Sequence, residues 1–581
     1  MAILGIDLGT SNSLCAVWKD GKSELIPNEY GELTTLSAVW MDANGNWRVG
    51  KEARERAVTE PENTALRFKP AMGTDQRFCL AGHTYMAEEL SSLVLRQLAN
   101  DARRYLNEEV SDAIISVPAY FNDRQRAATK RAGALAGLQV KRLINEPSAA
   151  ALAYRNTGVR QSDDGEPEMS IVIDFGGGTL DVSVVECFDN VVNILAVSGD
   201  NHLGGSDFDQ AIARYFCRQN GLNFDELPPS VQETILLRAE RCKKELTQRN
   251  STQMQLHTPR IDGSILLGNQ RLIEITPDLL QRFKAPIVRA VSDSGMALDE
   301  IDKIVLAGGS CRMPVIQRYV EHILSRSPEP CAAPDTMIAV GAGTYAGIVE
   351  RDGNIRDLVM TDVCPFTLGV AIMNHEQPSK MLMSPIIERN SVLPCSRESI
   401  YSTVRDMQPQ LETGIYQGED RYVENNLHLG QITLPVPPAP AGEQSARVRF
   451  TYDISGILEV DVVAVSTGER RQKLIIDPGS ELDIEAAEAR MRELAPLKVH
   501  PRDAVENAFI IARAERLYRE TRGEAREQVN RNLATFLHVI EEQDIRMIAR
   551  IRPKMQAFLN RMEEIGTPAL DENPFRFDDT E

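Results

Sequence analysis

The chain has 581 residues, more than one hydrophobic core can serve, so two to four domains are expected. Its 42% apolar and 25% charged composition is that of an ordinary soluble protein, while a formal charge of −20 argues against broad binding to nucleic acid or anionic membrane. An anionic ligand would then need a local cradle of backbone N–H groups, Lys or Mg²⁺.

Nine scattered cysteines without a CxxC pair fit reduced thiols rather than a disulfide scaffold or a zinc site. Eight histidines form no HxxxH or HExxH pair, which argues against a metal held by side chains alone. The N-terminus MAILGIDLGTSNS has no basic segment followed by an apolar stretch, and no uncharged run reaches membrane length. A cytoplasmic protein without nucleic-acid or membrane partners is expected.

From Ile3 to about Gly347, short apolar strands alternate with segments of helical period, an α/β pattern. Strands are expected at 3–8, 112–118, 170–175, 180–187 and 303–308, and helices at 123–137 and 233–247. One unit occurs twice: an apolar strand ending in Asp, a Gly/Thr turn, then a second apolar strand. It stands as GIDLGTSNSLCAVW at 5–18 and VIDFGGGTLDVSVV at 172–185. Two copies predict a duplicated α/β domain over 1–350 with a phosphate hairpin in each half.

Residues 351–363 break the pattern. Acids and Gly353 surround a small apolar island, Leu358-Val359-Met360, which reads either as a docking linker or as an edge strand. From 364 to 478, period-2 runs such as ARVRFTYDI and ILEVDVVAV predict an antiparallel β domain, with LPVPPAPAG as a loop inside it. From 479 to 581 the texture is helical and charged. Val529, Leu533, Phe536 and Ile540 share one face, as do Ile548, Ile551, Met555, Phe558 and Met562, the pattern of a small bundle core. Pro553 is expected to kink or divide the second stripe, and the tail DENPFRFDDTE to fray.

The paired hairpins carry the chemistry. Glycine lets backbone N–H groups approach a polyanion, Thr adds a hydroxyl donor, and an Asp at each strand end can hold Mg²⁺ through water. A strand follows each turn, so neither is a Walker loop or a dinucleotide-binding fingerprint, where a helix follows. A third glycine turn, LAGGSCRMPVIQRYVEHIL at 306–324, runs from strand into helix. It could bring N–H groups to a nucleotide, or be a tight joint and nothing more.

DLGTSNS, SVPAYFNDRQR, RLINEPSAAALAY, DFGGGTLDVS, GDNHLGGSDFD, AERCKKELT and GGSCRMP occur in the order seen in the DnaK-type heat-shock chaperones, and the sequence resembles that family. DVCPFTLGV, IYQGE and YDISGILEVDV extend the resemblance over nearly the whole chain. FKPAMG, SSLVLRQL, SPIIERN and LKVHPRD resemble the HscC branch. The resemblance implies an actin-like duplicated ATPase domain, a linker, a β-sandwich for extended peptides and a short α-helical lid. ATP or ADP with Mg²⁺, and K⁺ as a further cation, are the implied cofactors. Unfolded peptides and a J-domain co-chaperone are the implied partners.

By motif position, Gly9, Thr10, Ser11 and Asn12 resemble the first phosphate loop, with Asp7 beside the Mg²⁺ hydration shell. Gly176, Gly177, Gly178 and Thr179 resemble the second, with Asp174 as its carboxylate. Lys69 matches the lysine that holds the γ-phosphate and attacking water, and Glu146 and Asp181 would help orient that water. Gly204 and Gly205, in GDNHLGGSDFD, match further nucleotide-binding positions. Glu240, Lys243, Lys244 and Thr247 match the adenosine-contacting helix, and Gly308, Gly309, Ser310, Arg312 and Asp335 the remaining nucleoside contacts. Pro118 and Arg126 match the proline switch and its arginine relay, while Arg142 and Asp362 match positions tied to J-domain stimulation and linker signalling. Val370, Met373, Tyr401, Val404, Leu411, Thr413 and Ile457 match the peptide groove; alternating apolar residues in strands otherwise read as sandwich core.

The departures from the family pattern are Leu36 for Pro, Pro70 for Arg, Leu180 for Phe and Ser206 for Glu. The stretch between Lys69 and Glu88 is shorter than in DnaK itself, which argues against recognition by the usual exchange factor. A metabolite kinase, a filament-forming protein of the same superfold and a peptide-binding regulator with a decayed ATPase are the rival readings.

Overall fold

A computed structural model describes residues 2–156, 167–188, 191–257, 261–329, 333–350, 359–454, 456–475, 489 and 491–566. Two sheets repeat one plan. In the first, strand Ile3–Leu8 forms an antiparallel hairpin with Asn12–Lys19 and lies parallel to Asp112–Val117. In the second, Glu168–Phe175 forms a hairpin with Leu180–Phe188 and lies parallel to Lys303–Ala307. The expected duplication is therefore present at the level of strand pairing.

Helices Glu146–Asn156 and Met337–Val349 fill the space between the sheets. The second reads MIAVGAGTYAGIV, apolar on every side, as a helix must be when protein covers it all round. Its small residues permit unusually close approach. A Cβ on Gly341 would lie 1.8 Å from the Ala149 carbonyl oxygen, and one on Gly5 2.2 Å from the Gly343 nitrogen. The two halves are thus joined by backbone contact, and their hairpin turns are held in a fixed relation.

Residues 351–358, including Leu358 of the apolar island, lie outside the described residues. Strand Val359–Val363 is not an edge strand, because it has a partner on each side. It adds to the second sheet, parallel to Val191–Asn193, and its far side takes Val392–Leu393 of the following domain.

Beyond it lie two four-stranded antiparallel sheets. One runs 382–387, 368–372, 410–417, 427–435, the other 395–402, 445–452, 458–464, 470–475. Leu368, Ile387, Ile415, Phe450, Val460 and Val462 form the shared core. Helices Val505–Glu520, Gly523–Glu541 and Ile545–Gly566 form a bundle around Ile510, Leu517, Val529, Phe536, Ile540, Met555, Leu559 and Met562.

Pro553 does not divide its stripe, because one helix runs through it. The apolar face continues to pack on both sides of the proline. The tail expected to fray lies outside the described residues.

Candidate nucleotide site and its connection to the linker

The two hairpin turns meet tip to tip. A Cβ on Gly177 would lie 2.2 Å from Ser11 Oγ, and one on Gly178 2.7 Å from Thr10 Cγ2. Each turn is tied locally: Gly9 N–H donates to Ser13 Oγ at 3.2 Å, and Gly176 N–H to the Thr179 carbonyl at 3.0 Å. Gly204 packs beneath the second turn so closely that a Cβ would lie 2.3 Å from the Gly178 nitrogen. The third turn joins the same place. Gly308, at φ 80°, faces Asp174 Oδ1, and Ser310 Oγ donates to the Gly176 carbonyl at 2.7 Å. A short 3₁₀ turn, Gly309–Arg312, separates it from helix Pro314–Leu324.

Below the tips lies a buried set of charges. Lys69 Nζ donates to Glu146 Oε1 at 2.7 Å, both side chains nearly inaccessible, with the Phe121 ring 5.8 Å from the ammonium. Asp7 accepts from Ser116 Oγ at 3.2 Å, and Asp181 from the Tyr120 N–H at 3.3 Å. Burial pushes the Asp7 carboxyl up to about 7, with the Glu146 charge adding to the rise and Lys69 opposing it. Burial and Glu146 likewise carry Asp181 up to about 8. Asp174 stands well above the usual carboxylate range through burial and the charges of Glu146, Asp181 and Asp7. Burial works against the Lys69 ammonium, but Glu146, Asp7 and Asp181 outweigh it and raise its pKa.

This cluster carries more acid than its one lysine neutralises, so it favours a cation. Thr10 Oγ1 and Asp181 Oδ2 are buried without a protein partner, a state that costs about 1–3 kcal/mol unless a ligand or water satisfies it. Glycine N–H groups, a hydroxyl, a lysine and clustered carboxylates together fit a metal-bound polyphosphate.

The residues matched to adenosine contacts adjoin the Gly204–Gly205 turn through Lys243. Lys243 Nζ bonds the Gly205 carbonyl at 2.7 Å and Asp209 at 2.9 Å. Glu240 pairs with Lys244 at 2.8 Å and with Arg54, from the opposite lobe, at 2.9 Å. Burial alone would raise Glu240, but Lys244, Arg54 and Lys243 hold it down to about 2. Thr247 Oγ1 donates to the Lys244 carbonyl, and Arg312 pairs with Asp335 at 2.7 Å. The lobe-bridging Arg54 and the neighbouring Arg67–Glu233 pair went unnoticed in the sequence, where they are ordinary surface charges.

Of the departures, Pro70 occupies the second position of a 3₁₀ turn, where it fits, and Leu180 is fully buried. Ser206 donates its backbone N–H to the Gly177 carbonyl at 2.9 Å, and Leu36 pairs with Asn12.

A family description, "Hsp70 protein", matches residues 3–79 and 76–566. The chain belongs to the Hsp70 family. This Hsp70 is a nucleotide-binding chaperone of a family whose members are ATPases dependent on Mg²⁺, and which generally bind unfolded peptides and J-domain partners. Among the described residues, no helix is long and apolar enough to cross a membrane.

Hydrogen bonds run from this site to strand Val359–Val363 through residues matched above to coupling positions. Asp181 holds the Tyr120 N–H, in the turn after Pro118. Arg126 binds the carbonyls of Phe121 and Ala119 at 3.0 and 3.2 Å, then Asn145 Oδ1 at 2.6 Å. Asn145 Nδ2 donates to Asp362 Oδ2 at 2.7 Å. Asn145 precedes Glu146 and is the member that sequence reasoning missed; its side chain has no motif chemistry of its own. Arg142 stacks over Tyr345 at 5.4 Å.

The sandwich residues separate. Val370, Leu411 and Thr413 are buried, Met373 and Tyr401 partly so, and Val404 is exposed. Ile457 packs apart from them with Met491 and Leu494, under the start of the helical region. Met407 and Ile400, which the sequence reading did not single out, are about two-thirds exposed.

Proposed function

We propose that this Hsp70 is an HscC-like chaperone that couples slow ATP hydrolysis, stimulated by a J-domain partner, to binding and release of extended hydrophobic peptides. What carries the reading is a single continuous path: opposed glycine turns over a buried Asp–Lys–Glu cluster, linked through Arg126 and Asn145 to Asp362 of the docked linker.

The turn glycines and Thr10, Ser11 and Thr179 would bind the phosphates, and Asp7 and Asp174 would hold Mg²⁺ through water. The metal would supply charge neutralisation for the phosphoryl group. Lys69 would position the terminal phosphate and attacking water, with Glu146 and Asp181 orienting that water. Phosphoryl transfer depends chiefly on positioning and electrostatics, so such a set suffices without a covalent nucleophile. The docked linker and the exposed sandwich loop at Val404 and Met407 support assigning this arrangement to the ATP-bound, peptide-accessible state.

Single-turnover hydrolysis measured with and without an unfolded peptide tests the reading. Peptide should accelerate turnover, and nucleotide should reciprocally change peptide affinity. Hydrolysis that is indifferent to peptide, or that requires an added metabolite, moves the chain to the regulator or kinase reading.

A further inference from the structure

A cavity of about 150 Å³, the volume of about five water molecules, lies outside the buried charge cluster. The loop 28–36, the start of helix Lys51–Thr59 and one side of helix Ala87–Leu106 enclose it. Its mouth is charged: Glu29 and Lys51 are exposed there, and Lys51 Nζ donates to Glu32 Oε1 at 2.5 Å. Half-buried Leu36 and Val49 supply an apolar wall, and Gln97 and Asp101 close the inner side.

The loop is held in shape from within. Asn28 Oδ1 accepts from the N–H groups of Tyr30 and Glu32 at 2.9 and 3.0 Å, and Asn28 Nδ2 donates to the Thr34 carbonyl at 3.0 Å. Its far end braces the first phosphate turn without belonging to it. Thr35 and Leu36 pair with Ser13 and Asn12, and the Ser37 N–H donates to the Ser11 carbonyl at 2.9 Å.

Asp101 is the unusual member, a carboxylate only 2% exposed. Its Oδ1 accepts from the Arg104 guanidinium and from Gln97 Nε2, but its Oδ2 is buried without a protein partner. Such an atom is costly unless a ligand or water satisfies it. Burial pushes the carboxyl up to about 6, against Arg104 and Gln97 and with the Glu29 charge adding to the rise, so it is ionised at neutral pH. Around the cavity three carboxylates, Glu29, Glu32 and Asp101, stand against two cations, Lys51 and Arg104, which leaves one negative charge over. The carboxylates are not grouped as the ligands of a metal ion would be.

We propose that this cavity is a binding site for a small organic monocation of the alkylguanidinium class, its charged end toward Asp101 and its alkyl part on Leu36 and Val49. A guanidinium is weakly hydrated and presents several donors in one plane, which suits a half-buried carboxylate better than a compact, strongly hydrated ion does. One positive charge balances the excess, and the apolar wall favours an alkyl chain over water.

The probe is butylguanidinium, titrated into the full nucleotide-free chain by calorimetry, with uncharged butylurea of the same shape as its control. Butylurea should bind at least about tenfold more weakly, the order of a charge-assisted hydrogen bond. Saturating cation should slow backbone hydrogen exchange over residues 28–36. Asp101→Asn should lower affinity about tenfold, and Glu29→Gln about twofold, because solvent screens that exposed charge. Lys51→Met should raise affinity about twofold by leaving Glu32 unpaired, a gain that a merely structural role for the loop does not produce. Glu29 and Lys51 are exposed, so their variants report even if Asp101→Asn fails to fold. Absence of binding at millimolar butylguanidinium overturns the proposal, as do equal binding of butylurea and an affinity that Glu29→Gln and Lys51→Met leave unchanged.

Discussion

The buried charge cluster between the hairpin turns and the rim of the sandwich are opposite arrangements, which the proposed function assigns to nucleotide and to peptide. The cluster gathers Asp7, Lys69, Glu146, Asp174 and Asp181 out of water, a costly arrangement. The rim leaves Val404 and Met407 in water on the loop after strand Cys395–Ser402. A site for one fixed, highly charged ligand can be rigid and buried, because ligand charge offsets the burial. A site for varied chains must keep apolar surface accessible and gain by covering it.

The sharpest way to break this contrast is at Lys69. Lys69→Met removes the cation from a buried carboxylate set, and single-turnover hydrolysis should fall at least about 100-fold. Calorimetry should still detect Mg·ATP binding, since the turn N–H groups remain. Normal turnover would mean the buried charges serve the fold alone. Gly204→Ala probes rigidity instead. Its Cβ would collide with backbone at Gly177 and Gly178 rather than with a side chain that could rotate away. A cost of about 2 kcal/mol, or about 30-fold in Mg·ATP affinity, is expected from such overpacking. Unchanged affinity would show that the cleft yields where it should not.

Protons give a third, smaller test. Asp7 is raised to about 7 and Asp181 to about 8, so the folded protein binds protons that the unfolded chain releases near pH 4. Those groups stabilise the ligand-free protein most at low pH, and their contribution is lost as pH rises through about 7 to 8. Mg²⁺ favours the ionised carboxylates, so binding should release protons. Affinity should then fall on acidification below pH 7, by up to about tenfold per unit for each proton displaced. Calorimetry in buffers of different ionisation heat measures that release directly. Binding without it would show that the carboxylates do not meet the metal.

The two regions also differ in how far the sequence disclosed them. Both hairpins were legible because the unit occurs twice, where a single Gly-Thr turn is common in hairpins that bind nothing, and the strand bounds fell within a residue or two. The lobe-bridging pair Arg54–Glu240 was not, since long-range pairing leaves no local pattern. Asn145 was hidden for a related reason, as an amide acquires its role only from the partners brought to it. Pro553 did not divide its stripe because the missing hydrogen bond and the crowded carbonyl of residue 549 are local costs, and the apolar face on either side stays packed. In the sandwich, period-2 alternation states which residues share a face but not which face is covered. Val370 and Val404 therefore looked alike from sequence, though one is buried and the other exposed.

That last pair gives the smallest effect and the most direct comparison. Met407 is about two-thirds exposed at a left-handed φ of 56°, its N–H held by the Ala439 carbonyl at 2.8 Å, so the loop is ordered while its side chain faces water. Met407→Ser leaves that backbone bond intact and removes apolar surface. If peptide covers the rim, affinity for a fluorescent extended peptide should drop by about fivefold, near 1 kcal/mol for the lost burial, with thermal stability unchanged. Val370→Ser should do the reverse. Burying a hydroxyl in place of a packed isopropyl group costs the sandwich about 2–3 kcal/mol of stability, read by thermal denaturation, and changes peptide affinity only through unfolding. If Met407→Ser binds peptide as the wild type does while Val370→Ser loses affinity in a still-folded sandwich, the peptide face lies deeper than this rim. The contrast between a buried cleft and an exposed groove would then have to be given up.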